Sequence, residues 1–218
     1  GGKSPFIVLE DAAINDELIE HAAMSAFWNG GQNCSANMRQ LIAKPLVEEF
    51  TSRILERVNA FKLGDPLDPA TDIGSMITKE HKDMVMGYIQ SGLDDGANMI
   101  MGGGSDLPGH FINPTVFRNV TPDMRIAKEE IFGPVLGILA MESGEEALRI
   151  ASDTDYGLHA TVFTQDVDRA LHIARALPCG TVSVNGFSEG DIKTPFGGYK
   201  QSGSLARDNG TEALEQYM

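Results

Sequence analysis

Cysteine is nearly absent: Cys34 and Cys179 are the only two in 218 residues. Neither stands in Cys-x-x-Cys or Cys/His spacing, which excludes the usual zinc patterns and any disulfide framework. No metal is expected, and a reducing compartment, the cytoplasm, is the simplest reading. No stretch reaches the roughly 18 consecutive apolar residues of a membrane-spanning helix, and no signal-peptide pattern occurs. Basic residues are scarce: 17 Lys and Arg face 31 Asp and Glu, a formal charge of −14. Nucleic acid and anionic membrane surfaces both select for basic faces, so neither is an expected partner. A Gly-x-Gly-x-x-Gly run is missing as well. Gly102-Gly103-Gly104 follows a possible strand but opens no helix. There is no internal repeat and no low-complexity tract.

What is present suits an ordinary globular domain, with 42 % hydrophobic and 22 % charged residues. Apolar residues at Ile14, Leu18, Ile19, Ala22, Ala23 and Phe27 predict a helix over residues 15–28, capped by Asn15 and stopped by Gly30 and Gly31. A strand is expected over 40–43, then a helix with Val47, Phe50, Ile54, Val58 and Phe61 on one face. Residues 64–74, with Pro66 and Pro69, read as a loop. Thr78 caps a third helix with Met84, Val85, Tyr88 and Ile89 inward. The three glycines at 102–104 read as a turn, followed by irregular chain to Pro114. From Val135 the pattern alternates: strand 135–140, a Ser143/Glu146 capping box opening a helix through Ala151, and strand 160–164. A helix marked by Val167, Ala170, Leu171, Ala174 and Leu177 and a strand over 181–185 complete it. Strands separated by helices of this length imply right-handed crossovers. The expected fold class is α/β, a mainly parallel sheet with flanking helices, in one domain over residues 1–218.

Cys34 lies in Gly30-Gly31-Gln32-Asn33-Cys34-Ser35-Ala36, just past a helix end. Small residues on both sides leave room for a substrate to reach sulfur. A buried structural cysteine and a reactive nucleophile both fit this loop. The five histidines (His21, His81, His110, His159, His172) are scattered, and none is spaced to declare itself a thiol partner. Glu129–Glu130 by itself reads as a solvated acidic pair near a helix end, and Phe132 as core.

Four motifs in order change the reading. They are Gly1-Gly2-Lys3-Ser4-Pro5, Gly31-Gln32-Asn33-Cys34-Ser35, Glu129-Glu130-Ile131-Phe132-Gly133-Pro134, and the run from Pro195 to Gly203, Pro-Phe-Gly-Gly-Tyr-Lys-Gln-Ser-Gly. Together they resemble the aldehyde dehydrogenase superfamily over essentially the whole chain. The resemblance implies an aldehyde dehydrogenase catalytic-domain fold, a small-molecule aldehyde as substrate and NAD or NADP as cofactor. It makes Cys34 the nucleophile that forms a thiohemiacetal and then a thioester, with the Cys34 backbone N–H as one oxyanion donor. Glu130 matches the carboxylate that binds the nicotinamide ribose, and Phe132 a residue packed near that ring. Asn33, Ser35 and Phe196 are expected around the substrate. Asn185 is expected to be a structural hydrogen-bonding residue, and Cys179 to have no catalytic role.

The resemblance has departures. The family's usual general base and its second oxyanion donor, an Asn, match no position of this chain. Ser204-Leu205-Ala206-Arg207-Asp208 stands where Gly-Arg-Glu is frequent. An acylating, coenzyme A-dependent enzyme and a non-catalytic family relative are the alternatives. The dinucleotide-binding domain and an assembly strand are expected outside residues 1–218. The full-length protein is expected to be a homo-oligomer, and the fragment to fold without turnover. Glu189 and Asp191, in a loop similar to that of amino- and guanidino-aldehyde dehydrogenases, suggest a cationic substrate tail.

Overall fold

The structure, a computed structural model, describes residues 1–187, 191–203 and 206–218. Strand β1 (Pro5–Val8) leads through helix α1 (Asp16–Phe27) to β2 (Arg39–Ala43), followed by α2 (Val47–Asn59) and α3 (Lys79–Asp94). Strands β3 (Asn98–Gly104) and β4 (Ile112–Arg118), the single turn α4 (Arg125–Lys128), β5 (Val135–Met141) and α5 (Gly144–Ser152) come next. The chain finishes with β6 (Tyr156–Gly157), β7 (His159–Phe163), α6 (Val167–Ala176), β8 (Thr181–Val184) and β9 (Tyr199–Lys200).

Seven strands form one sheet in the order β3-β4-β5-β2-β1-β7-β8, and a small pair joins β6 to β9. Every neighbouring pair in the large sheet is parallel except β3 with β4. The α/β reading holds. Both faces are covered, so the central strands are apolar on both sides. In β1, Phe6 and Val8 pack toward α1 and α2, while Ile7 enters the core shared with α3, α5 and α6.

Helices α1, α3 and α5 start at side-chain caps. Asn15 Oδ1 accepts from the Leu18 N–H at 2.9 Å, Thr78 Oγ1 from that of His81 at 3.1 Å, and Ser143 Oγ from that of Glu146 at 3.2 Å. Each satisfies an amide that the first helical turn leaves without a partner.

Three expectations are corrected and one strand is added. Strand β1 was not foreseen, because a short run apolar on both faces has no alternation to detect. Residues 102–104 are strand, not turn; the chain over 105–111 is irregular as expected, and β4 starts at Ile112, two residues before Pro114. The β3–β4 register shifts between Met99 and Met101 and again between Met101 and Gly103, which puts Gly102 at a bulge while Gly103 and Gly104 pair with Asn113 and Ile112. Met84 faces solvent, and α3 buries Gly92 against Phe117 and Ile126 instead. On α6, Val167 and Leu171 are exposed, and the inward face is Ala170 and Ile173, continued by Leu177.

Gly102 and Gly103 have φ of 103° and 97°. A Cβ at Gly102 would strike the Thr115 backbone, whereas at Gly103 the nearest atom would be Met99 Cε at 3.8 Å. Gly102→Ala is therefore expected to cost roughly 3 kcal/mol and Gly103→Ala roughly 1 kcal/mol, the second from backbone strain alone. Urea midpoints of the two variants check the order; equal losses would remove the close-approach argument.

Candidate active site

Parallel strands bring the loops that enter them to one edge of the sheet. The register aligns Pro5 of β1 with Arg39 of β2, and Arg39 with Gly137 of β5. Gly1–Gly2, the cysteine loop and the Glu130–Phe132 loop precede these three neighbouring strands, so all three gather at their amino-terminal ends. At the opposite edge a hollow of about 190 Å³, lined by Ala12, Asn15, Phe163, Thr164 and Asn185 among others, holds neither cysteine.

The cysteine loop is rigid from local causes. After α1, Asn29, Gly30 and Gly31 all take positive φ (54°, 64° and 70°) and turn the chain sharply. Asn29 Nδ2 donates to the Gln32 carbonyl at 3.0 Å, and Gln32 Oε1 accepts from the Ile77 N–H at 3.0 Å. Asn33 Oδ1 accepts from both the backbone N–H (3.1 Å) and hydroxyl (3.0 Å) of Ser35, which leaves Cys34 at the apex of an Asx turn. Ser35 is buried; Asn33 and Cys34 are half-buried. Beneath them, fully buried Asn37 donates to the Pro5 carbonyl and accepts from Thr161, tying the loop to β1 and β7.

The acidic pair divides. Glu129 turns to Tyr88 Oη and Arg125 Nε, both at 2.9 Å. Glu130 turns the other way and accepts from the Gly2 N–H at 2.9 Å through Oε1. Phe132 sits at φ 54° and is 37 % exposed as a residue, unusual for a phenylalanine on both counts. The loops touch backbone to backbone. A Cβ at Gly2 would overlap the Cys34 carbonyl oxygen, and one at Gly31 would lie 2.5 Å from that of Gly133. Cys34, Glu130 and Phe132 thus belong to one packed unit.

Phe196 belongs to a different segment and pairs through its backbone with Asp208, whose carboxylate accepts from Gln216. Asn185 is structural: it accepts from the Thr164 N–H and donates to the Thr164 carbonyl. Burial pushes the Cys179 thiol up to about 11, so it is un-ionised at neutral pH and a poor nucleophile. Glu189 lies outside the described residues, as do Ser204 and Leu205. Asp191 accepts from the Lys193 N–H.

Three contributors went unseen in the sequence. Arg39 is fully buried and donates to the Ile150, Ala151 and Lys3 carbonyls at 2.8–3.0 Å, capping the last turn of α5. His81 donates from Nε2 to the Phe132 carbonyl at 2.6 Å. Lys3 is buried, and its Nζ has no hydrogen-bond partner among the described residues. The Thr78 cap sets His81 in the first turn of α3, and Lys3 stands in the first family motif; nothing local marked Arg39.

Fold and site together define a class: a parallel α/β domain presenting a cysteine at a loop apex, packed against a loop that carries a carboxylate and an outward aromatic ring. The chain belongs to the aldehyde dehydrogenase family, whose sequence pattern matches residues 1–218. It is 46 % identical over 218 residues to aldehyde dehydrogenase 1A1 of Gallus gallus, covering all of this chain and 42 % of that protein. It is 42 % identical over 222 residues to betaine aldehyde dehydrogenase of Brucella anthropi, covering 45 % of it. Among solved structures it is similar to the P. syringae indole-3-acetaldehyde dehydrogenase AldA, a mutant in complex with NAD+ and IAA, with TM-score 0.97 and 41 % identity. That match covers all of this chain and 44 % of the other. The chain therefore spans less than half the length of the relatives it matches. Among the described residues no helix is long and apolar enough to cross a membrane.

The amine of Lys3 is lowered to about 7 from its ordinary 10.5, first by burial and then by Arg39; Glu130 and Glu129 pull it back up. Between these two pH values the unfolded chain holds more protons at Lys3 than the folded one, so stability rises with pH across the window. Below about pH 7 the destabilisation is fully present. Lys3→Met is expected to flatten this slope. Urea midpoints from pH 7 to 10 measure it, and identical slopes in variant and wild type would refute the burial argument.

Proposed function

We propose that residues 1–218 form the catalytic domain of a longer, cytoplasmic and homo-oligomeric enzyme. It oxidises an aldehyde to a carboxylic acid with NAD or NADP, through a covalent intermediate on Cys34. The contact of the Cys34 carbonyl with Gly2, whose N–H is held by Glu130, carries this reading. It unites the nucleophile loop and the cofactor carboxylate in one rigid unit.

The thiolate of Cys34 adds to the aldehyde carbonyl, and its backbone N–H donates to the oxyanion of the resulting thiohemiacetal. A bound nicotinamide supplies the hydride acceptor. Loss of hydride from the former aldehyde carbon leaves a thioester on Cys34, and water releases the acid and regenerates the thiol. Asn33 and Ser35 border the substrate by holding the Asx turn that presents sulfur, and Phe196 forms an aromatic wall.

The residues present fit a nicotinamide ribose. Glu130 uses one oxygen toward Gly2, which leaves acceptor capacity on its carboxylate for hydroxyl donors. Phe132, an exposed aromatic residue, stands on the same loop. Structural relatives bound to NAD+ include AldA and the betaine aldehyde dehydrogenase of Staphylococcus aureus.

In the full-length protein, Cys34→Ser is expected to lower kcat by several orders of magnitude with the fold intact, because a neutral hydroxyl replaces a thiolate. Near-normal turnover would sink the assignment. Glu130→Gln is expected to weaken cofactor positioning and slow hydride transfer; kinetics unchanged at every cofactor concentration would remove its role.

The acidic loop with Glu189 and Asp191 favours a cationic aldehyde. A higher kcat/KM is expected for an amino-aldehyde than for a neutral aldehyde of the same length. Equal efficiencies would overturn this choice of substrate.

A further inference from the structure

Phe132 holds a conformation that a bulky L-residue rarely adopts, with φ of 54°. Such a backbone persists only where the surroundings over-determine it. The neighbouring peptide is held on one side: the Val135 N–H donates to the Gly133 carbonyl at 2.7 Å. Helix α3 supplies the rest. Val85 packs so closely under Gly133 that a Cβ there would lie 2.5 Å from Val85 Cγ2. One turn earlier on the same face, His81 meets Phe132 twice. Its Nε2–H donates to the Phe132 carbonyl at 2.6 Å, since a carbonyl can only accept. Its ring stands edge-on to the phenyl ring, with centroids 6.0 Å apart and planes at 74°. His81 itself is fixed by the Thr78 cap, which accepts its backbone N–H. Just before α3, the Ile77 N–H donates to Gln32 of the cysteine loop. The start of α3 therefore braces both the loop that carries the nucleophile and the loop that carries Phe132.

We infer that His81 is a positioning residue for cofactor binding: it locks the left-handed backbone of Phe132 and turns the phenyl ring outward, where the nicotinamide packs. The inference rests on the dehydrogenase reading above. A glutamine retains an N–H donor at similar reach, whereas leucine removes the donor and keeps a side chain of moderate bulk.

The test uses the full-length protein and its His81→Leu and His81→Gln variants, with steady-state kinetics, direct NAD(P) binding and thermal melting. His81→Leu is expected to raise the KM and dissociation constant for NAD(P) about tenfold, as loss of one hydrogen bond predicts. The aldehyde KM and the melting temperature should be unchanged, and His81→Gln should bring cofactor binding back to about twice the wild-type value or better. Unchanged cofactor binding in His81→Leu would overturn the positioning role. So would equal losses in both variants accompanied by lowered melting temperatures, which mark a merely structural residue. A wild-type protein that neither binds NAD(P) nor oxidises aldehydes would overturn the dehydrogenase reading and this inference with it.

Discussion

Three loops meet backbone to backbone at the amino-terminal edge of β1, β2 and β5, and the candidate site exists because nothing larger than hydrogen separates them. Gly2 lies against the Cys34 carbonyl and Gly31 against that of Gly133. A side chain at either place would push the cysteine loop away from the loop that carries Glu130 and Phe132. Because the strands are parallel, every loop entering them arrives at the same edge. In doubly wound folds ligands more often bind at the carboxyl ends of strands. Here Cys34, Glu130 and Phe132 gather at the other end.

Cationic side chains near the site do structural work by holding carbonyls. Arg39, five residues after Cys34, spends its guanidinium on carbonyls, two of them at the end of α5. Lys200, within the Pro195–Gly203 motif, donates to the Ser152 and Thr154 carbonyls at the same helix end. A helix C-terminus carries negative potential and unpaired acceptors, so cations are favourable there. One short helix thereby fixes both the strand that follows the cysteine loop and a second motif segment. Lys3 adds a buried amine, and burial together with the Arg39 guanidinium lowers its proton affinity.

Much of the fold was legible where one local rule sufficed. Capped amphipathic helices such as α1 and α5 announce themselves because one face meets the core and the other meets water. Strand β1 has no such contrast, being buried on both faces. The glycines of β3 resemble a turn because a bulged strand and a turn use the same residue for the same positive φ. On α6 the apolar Val167 and Leu171 widened the apparent inner face, and only the packing of Ala170 and Ile173 shows which side turns inward.

The order of short motifs was enough to identify the family and to single out Cys34, Glu130 and Phe132, because each motif is a contiguous string whose residue types are visible in the chain. Their meeting is another matter. That Glu130 turns to Gly2 while Glu129 turns to Tyr88 and Arg125 follows from contacts made across the sheet edge, between segments distant in the chain. The same holds for His81 under Phe132 and for Arg39 at the end of α5. Local propensities and patterns set which segments became helix or strand. Long-range packing set the partners, since a hydrogen bond between distant segments depends on how strands order in the sheet, which no local pattern encodes.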